Sequence, residues 1–149
     1  MGAYKKIIVG TDGSKTSLVA VDRAGKVAAA SDARLVIVTA FEQASRDEIL
    51  EAQDALKGDA FMVVGSAPAE SILKTASGRA RAAGATQIET IAVEGLAVSV
   101  LDKAVTETGA DLVVVGNVGL NTLSGRILGS VPQTVARRAD VDVLIVHTA

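Results

Sequence analysis

The chain has 149 residues, a formal net charge of −2 and no cysteine, which suits a single domain and excludes disulfide frameworks, thiolate zinc sites and cysteine nucleophiles. Its composition is 49% hydrophobic but only 2% aromatic, so it offers few stacking platforms for bases and has no basic block for a nucleic-acid backbone. No apolar run approaches the roughly 20 residues of a membrane span, and we expect a cytoplasmic protein with neither a nucleic-acid nor a membrane partner.

The first part of the chain alternates strand and helix patterns. A β-branched run predicts a strand over residues 5–10 (KKIIVG), and RLVIVT predicts a second one over residues 34–39. Between them, apolar residues at helical spacing predict a helix over residues 14–31 with Ser14 as its N-cap. The apolar positions of that helix are Leu18, Val21, Ala24 and Ala28.

Residues 40–66 carry a weaker pattern. Residues 46–56 (RDEILEAQDAL) are compatible with a helix that ends before Gly58, and residues 61–64 with part of a surface loop. The alternation then resumes. The predicted elements are helix 68–83, strand 87–93, helix 96–108, strand 111–115, short helix 132–138 and strand 142–147.

The predicted strands are apolar throughout, which is typical of parallel sheets covered by helices on both faces. Five strands are too few for an eight-stranded barrel. We therefore predict an α/β fold, a single domain over residues 1–149 with an open doubly wound five-stranded parallel sheet in the order 3-2-1-4-5.

Two stretches repeat one pattern of strand, glycine, two residues and glycine. They are residues 7–13 (IIVGTDG) and 113–119 (VVVGNVG), on the first and fourth strands. In the order 3-2-1-4-5 these strands flank the point where strand order reverses, and ligands of doubly wound sheets bind there. Both glycine stretches therefore point to one crevice.

The second stretch continues as GNVGLNTLSGRILGS, residues 116–130, and leads into a helix N-terminus. Glycines allow a ligand to approach the backbone, and a helix N-terminus attracts an anion, so the segment indicates a phosphate cradle. The spacing fits neither the P-loop nor the dinucleotide fingerprint.

The spacing Gly116, Gly119, Gly129, Ser130 resembles the nucleotide loop of the universal stress protein family. The opening KKIIVGTDGS, the segment GLNTLSGRILGSVPQTV and the closing VDVLIVH are also similar to that family, and the order of strands and helices matches over nearly the whole chain. The resemblance implies a protein that binds ATP, AMP or cyclic AMP, with Mg only if ATP is bound.

The resemblance also implies site residues around the base. Asp12 would lie against the adenine, and the backbone of Thr39 and Ala40 would meet the base edge. Gly10 and Thr11 would line the floor of the crevice.

The remaining implied contacts lie in the glycine-rich loop. Gly116 would contact the ribose, and Gly119, Gly129, Ser130 and Val131 would hold phosphates. Many ATP-binding members carry a polar residue and then His or Arg between the first two glycines, whereas this chain has Asn117 and Val118.

Arg126 is the only cation within the loop, and its direction is not fixed by the sequence. Weak cationic help favours a small anion, because dipoles and backbone N–H groups can satisfy a single charge. The loop and the ending DVLIVHT also resemble a single-domain actinobacterial branch that binds cyclic AMP. Cyclic AMP and ATP both remain candidates.

The sequence shows no nucleophile beside a base, so we expect a non-catalytic binding protein with a role in stress or signalling. The alternatives are a slow ATPase and an interaction protein whose nucleotide site is vestigial. His147, the only histidine, has no partner in the sequence and favours a structural role. The last strand, residues 142–147, is apolar and terminal, which predicts a sheet edge covered in a homodimer, as the resemblance also implies.

Overall fold

A computed structural model describes residues 2–41, 66–117 and 130–148 of the chain. Within these ranges the strands are β1 (Lys6–Gly10), β2 (Arg34–Phe41), β3 (Gln87–Glu94), β4 (Leu112–Gly116) and β5 (Asp142–Val146). The helices are α1 (Lys15–Ser31), α2 (Ser66–Ala82), α3 (Ala97–Thr108) and α4 (Ser130–Arg138). The predicted helix 46–56 and the predicted loop segment 61–64 lie outside the described residues.

The strands form one sheet in the order β3-β2-β1-β4-β5, and every neighbouring pair is parallel. This confirms the predicted fold class, including the reversal of strand order between β1 and β4. It also places β5 at one edge of the sheet, as its position in the sequence predicts.

Each face of the sheet has its own aliphatic core. On the α1–α2 face, β1, β2 and β4 bury residues such as Ile7, Leu35 and Val114 against α1 and α2. On the α3–α4 face, the alternate residues of the same strands pack against α3 and α4. The helical spacing of α1 is confirmed, because its predicted core positions are all buried: Leu18, Val21, Ala24 and Ala28.

Most element boundaries differ from the prediction by one or two residues, and three of these differences have an identifiable reason. β2 continues to Phe41 because β3 pairs with it that far, and Gly95 N–H then donates to the Phe41 carbonyl at 2.8 Å. α4 begins at Ser130 and not at residue 132, since Pro132 is tolerated anywhere in a first helical turn.

The third difference concerns the last strand, which ends at Val146 and does not include His147. Asn117 N–H donates to the Val146 carbonyl at 2.9 Å, one position past the end of β4. Beyond it, Thr148 N–H donates to the Asn117 side chain and not to a strand.

The amino ends of the central strands are closed by hydrogen bonds. The Asp111 carboxylate accepts the backbone N–H groups of Lys5 and Lys6 at 3.0 and 3.1 Å, and Lys6 Nζ donates to the Thr108 carbonyl at 2.8 Å. Tyr4 Oη donates to the Asp142 carboxylate at 2.9 Å, and this bond raises the pKa of the phenol. Because hydrogen bonds within the chain occupy the amino ends, we expect a binding site at the carboxyl ends of the strands.

Candidate functional site

A crevice is expected at the carboxyl ends of β1 and β4 because the chain leaves these two adjacent strands toward opposite faces. β1 leads into α1, which packs on one face of the sheet, and the chain after β4 returns through α4, which packs on the other. In doubly wound sheets this divergence opens the ligand-binding crevice.

Gly10, the last residue of β1, is explained by packing. A methyl group added at Gly10 would lie 3.1 Å from the nearest methyl carbon of Leu101 in α3, which is tighter than ordinary contact. Its side-chain position therefore faces the α3–α4 core. The glycine brings α3 close to the end of β1, so the small residue here has a structural use.

The segment after β1 is fixed by local hydrogen bonds. Thr11 is buried, its N–H donates to the Val38 carbonyl at 3.0 Å, and its Oγ1 accepts Gly13 N–H at 3.1 Å. Asp12 is exposed at the crevice edge, and its Oδ1 accepts Ser14 N–H at 2.9 Å. Ser14 caps α1 through its side chain, as predicted, by accepting Ser17 N–H at 3.2 Å.

Gly13 supplies the turn between the strand and the helix. Its φ of +84° lies in the left-handed region that glycine adopts without strain. A methyl group there would also lie 2.9 Å from Ile72 Cγ1 of α2. Both glycines of the first repeated stretch thus have structural reasons that need no ligand.

Thr39 and Ala40 direct their backbone groups to opposite sides of β2. The Val38 carbonyl accepts from Thr11 beside β1, and the Phe41 carbonyl accepts from Gly95 beside β3. Because successive residues of a strand alternate, Thr39 faces β3 and Ala40 faces the β1 side. The ladder is not continued there, since Gly13 N–H bonds to Thr11 Oγ1 and not to the Ala40 carbonyl. Of the two residues, Ala40 is the one whose backbone faces the crevice.

The Thr39 side chain lies on the α1–α2 face and is only 1% exposed. Its hydroxyl has no hydrogen-bond partner anywhere in the part of the chain that the structure describes. A buried hydroxyl without a partner costs free energy, so it calls for an explanation by a ligand, a water or a tolerated penalty.

Gly116 and Asn117 end the other wall of the crevice. Gly116 is the last residue of β4 and is partly buried, and Asn117 is 8% exposed. Asn117 Oδ1 accepts both Thr148 N–H and Thr148 Oγ1–H at 2.9 Å, and its Nδ2 lies 3.3 Å from His147 Nδ1. The Asn117 side chain thus connects the end of β4 to the residues that follow β5.

The N-terminus of α4 begins at Ser130, followed by Val131, which is partly buried. Pro132 has no N–H, so the first turn offers the N–H groups of its other residues and the positive end of the helix dipole. Gly119, Arg126 and Gly129 lie outside the described residues, as does Val118.

Several predicted residues thus lie at the carboxyl ends of the strands or begin the helix that follows β4: Gly10, Thr11, Asp12, Ala40, Gly116, Asn117 and Ser130. These residues provide a carboxylate at Asp12, backbone groups at Ala40 and a helix N-terminus at Ser130. Such a set can accept a hydrogen bond from a neutral group and donate hydrogen bonds to an anion.

Sequence reasoning missed Ser17, whose hydroxyl lies 2.8 Å from Thr11 Oγ1 and connects α1 to the residues beside Asp12. The spacing of six residues between two hydroxyls has no recognisable pattern in a sequence. The partner of His147 was likewise not visible, because Asn117 is distant in the chain.

Within residues 2–41, 66–117 and 130–148 there is no group of three or more His, Cys, Asp or Glu side chains that could hold a metal ion. In the same ranges, no helix has the length and apolarity that a bilayer span requires.

Comparison with known proteins agrees with this fold. The sequence model of the universal stress protein family matches residues 3–147. Universal stress protein Rv1636 of Mycobacterium tuberculosis is 51% identical over 148 residues, covering 99% of each chain. A putative universal stress protein of Staphylococcus haemolyticus is 34% identical, covering 99% of this chain and 87% of its own length.

Among solved structures, the crystal structure of a universal stress protein in complex with cyclic AMP is similar, with a TM-score of 0.77 and 50% sequence identity. The match covers 99% of this chain and 100% of that one. The parallel sheet order and these matches extend over nearly the whole sequence. The chain belongs to the universal stress protein family.

Proposed function

We propose that this chain is a cytoplasmic, homodimeric, non-catalytic protein that binds an adenine nucleotide in the crevice between β1 and β4 and acts in stress response or signalling. One observation carries the proposal. Asp12 follows β1, Ala40 lies near the carboxyl end of β2, and α4 begins after β4, in a sheet whose strand order reverses between β1 and β4. The chain that carries them is 50% identical to a universal stress protein solved with cyclic AMP.

Electrostatics favours one orientation of the ligand. The Asp12 carboxylate repels a phosphate, so the anionic end belongs at the N-terminus of α4, where Ser130 and Val131 begin the helix. The base and ribose then lie toward Asp12 and Ala40. An ionised carboxylate only accepts hydrogen bonds, which suits the exocyclic amine of adenine or a ribose hydroxyl.

The charge of the loop favours a ligand with few phosphates. Val118 provides no positive charge next to Gly119, and Arg126 is the only cation between Gly116 and Ser130 in the sequence. Backbone N–H groups and a helix dipole satisfy the single charge of a cyclic monophosphate more readily than the roughly four charges of a triphosphate. We place cyclic AMP level with or ahead of ATP and AMP, with Mg required only for ATP.

Equilibrium titration of the purified chain with cyclic AMP, AMP and ATP, with and without Mg, tests the proposal. We expect saturable binding of at least one adenine nucleotide and a matching rise in melting temperature. An absence of both heat and thermal shift with all of them would overturn the proposed function.

Glycine variants locate the binding. Gly116→Ala is expected to weaken binding by crowding the ribose, whereas Gly78→Ala is the matched control, because an added methyl group at Gly78 meets nothing within 4 Å. Equal affinities in the two variants would contradict the assignment of Gly116.

Two measurements test the alternative functions: phosphate release tests the slow ATPase, and partner binding tests the interaction protein. Turnover of Mg-ATP that is lost in a Gly119→Val variant would favour the slow ATPase. Binding of a protein partner that is indifferent to nucleotide and to Gly116→Ala would favour an interaction protein with a vestigial site.

A further inference from the structure

We infer that Ser17 is a positioning residue of the crevice, which holds Asp12 in its binding orientation through the Thr11 hydroxyl. The inference rests on the proposed function for its effect on binding. The relay itself, the hydrogen bonds that connect Ser17 to Thr11 and Thr11 to Gly13, rests on the described residues alone. Ser17 belongs to α1 and lies behind the crevice edge, partly buried.

The direction of the relay follows from counting protons. Ser17 Oγ donates its single proton to the Ser14 carbonyl at 2.9 Å. In the 2.8 Å contact between Ser17 Oγ and Thr11 Oγ1, Ser17 must then accept and Thr11 must donate. The Thr11 oxygen is thereby turned so that its lone pairs remain for Gly13 N–H, which donates to it at 3.1 Å.

This relay fixes the backbone on both sides of Asp12. Thr11 precedes it and is held to β2 through Val38, and Gly13 follows it in a left-handed conformation at φ +84°. The Asp12 side chain completes the turn by accepting Ser14 N–H with one oxygen at 2.9 Å. Its other oxygen is available at the crevice edge with a direction that the relay sets.

Ser17 can be changed without breaking the cap of α1. Ser14 caps the helix by accepting the backbone N–H of Ser17, and this bond does not involve the Ser17 hydroxyl. Alanine also has a higher helix propensity than serine. Ser17→Ala therefore removes the relay and leaves the helix start in place.

The matched control lies at the other end of the same helix. Ser31 is 8% exposed and is the last residue of α1, so the 17-residue helix separates it from Asp12. Ser31→Ala makes the same chemical change in the same helix without touching the relay. Ser17→Thr keeps a hydroxyl at position 17 and serves as the conservative variant.

The first experiment follows amide hydrogen exchange by NMR in the ligand-free protein. Ser17→Ala is expected to speed the exchange of Gly13 N–H several-fold, and Ser31→Ala and Ser17→Thr are expected to leave it near the wild-type rate. Unchanged exchange of Gly13 in Ser17→Ala overturns the relay, whatever the protein binds.

The second experiment measures nucleotide affinity by titration with cyclic AMP, AMP and ATP. Ser17→Ala is expected to weaken binding roughly threefold to tenfold, the worth of one hydrogen bond, while Ser31→Ala has no effect. In an Asp12→Ala background Ser17→Ala should have no further effect, because the residue acts through Asp12.

Additive losses in the Asp12→Ala, Ser17→Ala double variant, or wild-type affinity in Ser17→Ala, would overturn the positioning role. A wild-type protein that binds no nucleotide at all overturns the proposed function, and the exchange of Gly13 then decides the relay by itself.

Discussion

Thr11, which follows β1, and Thr39 in the neighbouring strand β2 are two buried threonines whose hydroxyls are in opposite situations. Thr11 Oγ1 is bonded to Ser17 and Gly13, whereas Thr39 Oγ1 has no partner among the described residues. Thr39→Val should therefore raise the free energy of unfolding by about 1 kcal/mol, since it removes an unsatisfied polar atom with little change in shape. Urea denaturation of the ligand-free protein measures it.

Thr11→Val is the matched comparison for this prediction. The same substitution there breaks satisfied hydrogen bonds and should lower the free energy of unfolding by about 1 kcal/mol. A Thr39→Val variant that is destabilised as much as Thr11→Val would show that the Thr39 hydroxyl is satisfied in solution, for instance by a buried water.

At this scale the sequence predicts core positions better than hydrogen-bond partners. The buried face of α1 follows from residues three and four apart, so Leu18, Val21 and Ala24 were predictable. The roles of Ser17 and Asn117 depend on contacts across elements, which no local spacing encodes. Gly10 was predictable as special, but its contact with Leu101 appears only when α3 is in place.

The contact between α1 and α2 depends on a small residue at Gly25. A methyl group at Gly25 would lie 2.9 Å from the Ala80 carbonyl oxygen and 2.9 Å from Ala83 Cβ. We expect Gly25→Ala to lower the free energy of unfolding by about 1 to 3 kcal/mol, because separating the helices outweighs the better helix propensity of alanine. Thermal and urea unfolding measure the change.

Gly78→Ala is the control for Gly25→Ala. Gly78 lies inside α2, and a methyl group there meets nothing within 4 Å. Alanine should then raise the free energy of unfolding by about 0.5 to 1 kcal/mol through helix propensity alone. Changes of the same sign in both variants would contradict the packing role of Gly25.

An ion pair also connects these two helices and makes their contact pH-dependent. Arg79 Nε donates to Asp22 Oδ1 at 2.9 Å and a second guanidinium nitrogen donates to Oδ2, so the hydrogen bonds from Arg79 lower the pKa of Asp22 below its ordinary value of 3.8. A lowered folded pKa gives stabilisation that is complete above 3.8 and is lost as the pH falls through the folded pKa.

Asp22→Asn should therefore destabilise the protein by about 0.5 kcal/mol at pH 7, because the pair is partly exposed and screened. The difference from the wild type should shrink as the pH falls below 3.8. Glu107→Gln is the control, since its partner Lys103 is 3.7 Å away and the two side chains are 70% and 65% exposed. A difference at Asp22 that persists unchanged into acid would contradict the ion-pair origin.

Among elements, type and order were predictable and ends were not. Continuous apolar runs identify the central strands β1, β2 and β4, because burial on both faces of a sheet leaves a clear pattern, and helical spacing identifies the described helices. The ends depend on neighbours: β2 reaches Phe41 because β3 pairs with it, and β5 stops at Val146 where Asn117 bonds to its carbonyl. The strand order followed from a fold-level rule and not from the residues of any one strand.

For the molecule as a whole, the exposed edge of β5 is the feature that the proposed homodimer explains. Among the described strands, β5 pairs with β4 on one side only, and its residues Val143, Leu144 and Ile145 are partly buried. An apolar edge strand with unpaired N–H groups invites another strand, and a two-fold partner would cover it. We expect a dimer by light scattering at micromolar concentration.

The register of β5 provides a variant that separates this edge from the fold. The Val146 carbonyl accepts from Asn117 beside β4, so Val146 and Leu144 face β4 and the N–H of Ile145 faces outward. Ile145→Pro removes an outward donor without breaking a bond to β4, and proline is tolerated at such edge positions. We expect a folded monomer.

Leu144→Pro provides the comparison, because it removes an N–H that faces β4 and should destabilise the sheet itself. Circular dichroism and thermal unfolding confirm that Ile145→Pro remains folded while light scattering reports its mass. A wild-type chain that is monomeric at micromolar concentration contradicts the dimer. An Ile145→Pro variant that is folded and still dimeric moves the interface away from the β5 edge, because two paired edge strands need the donors on their facing sides.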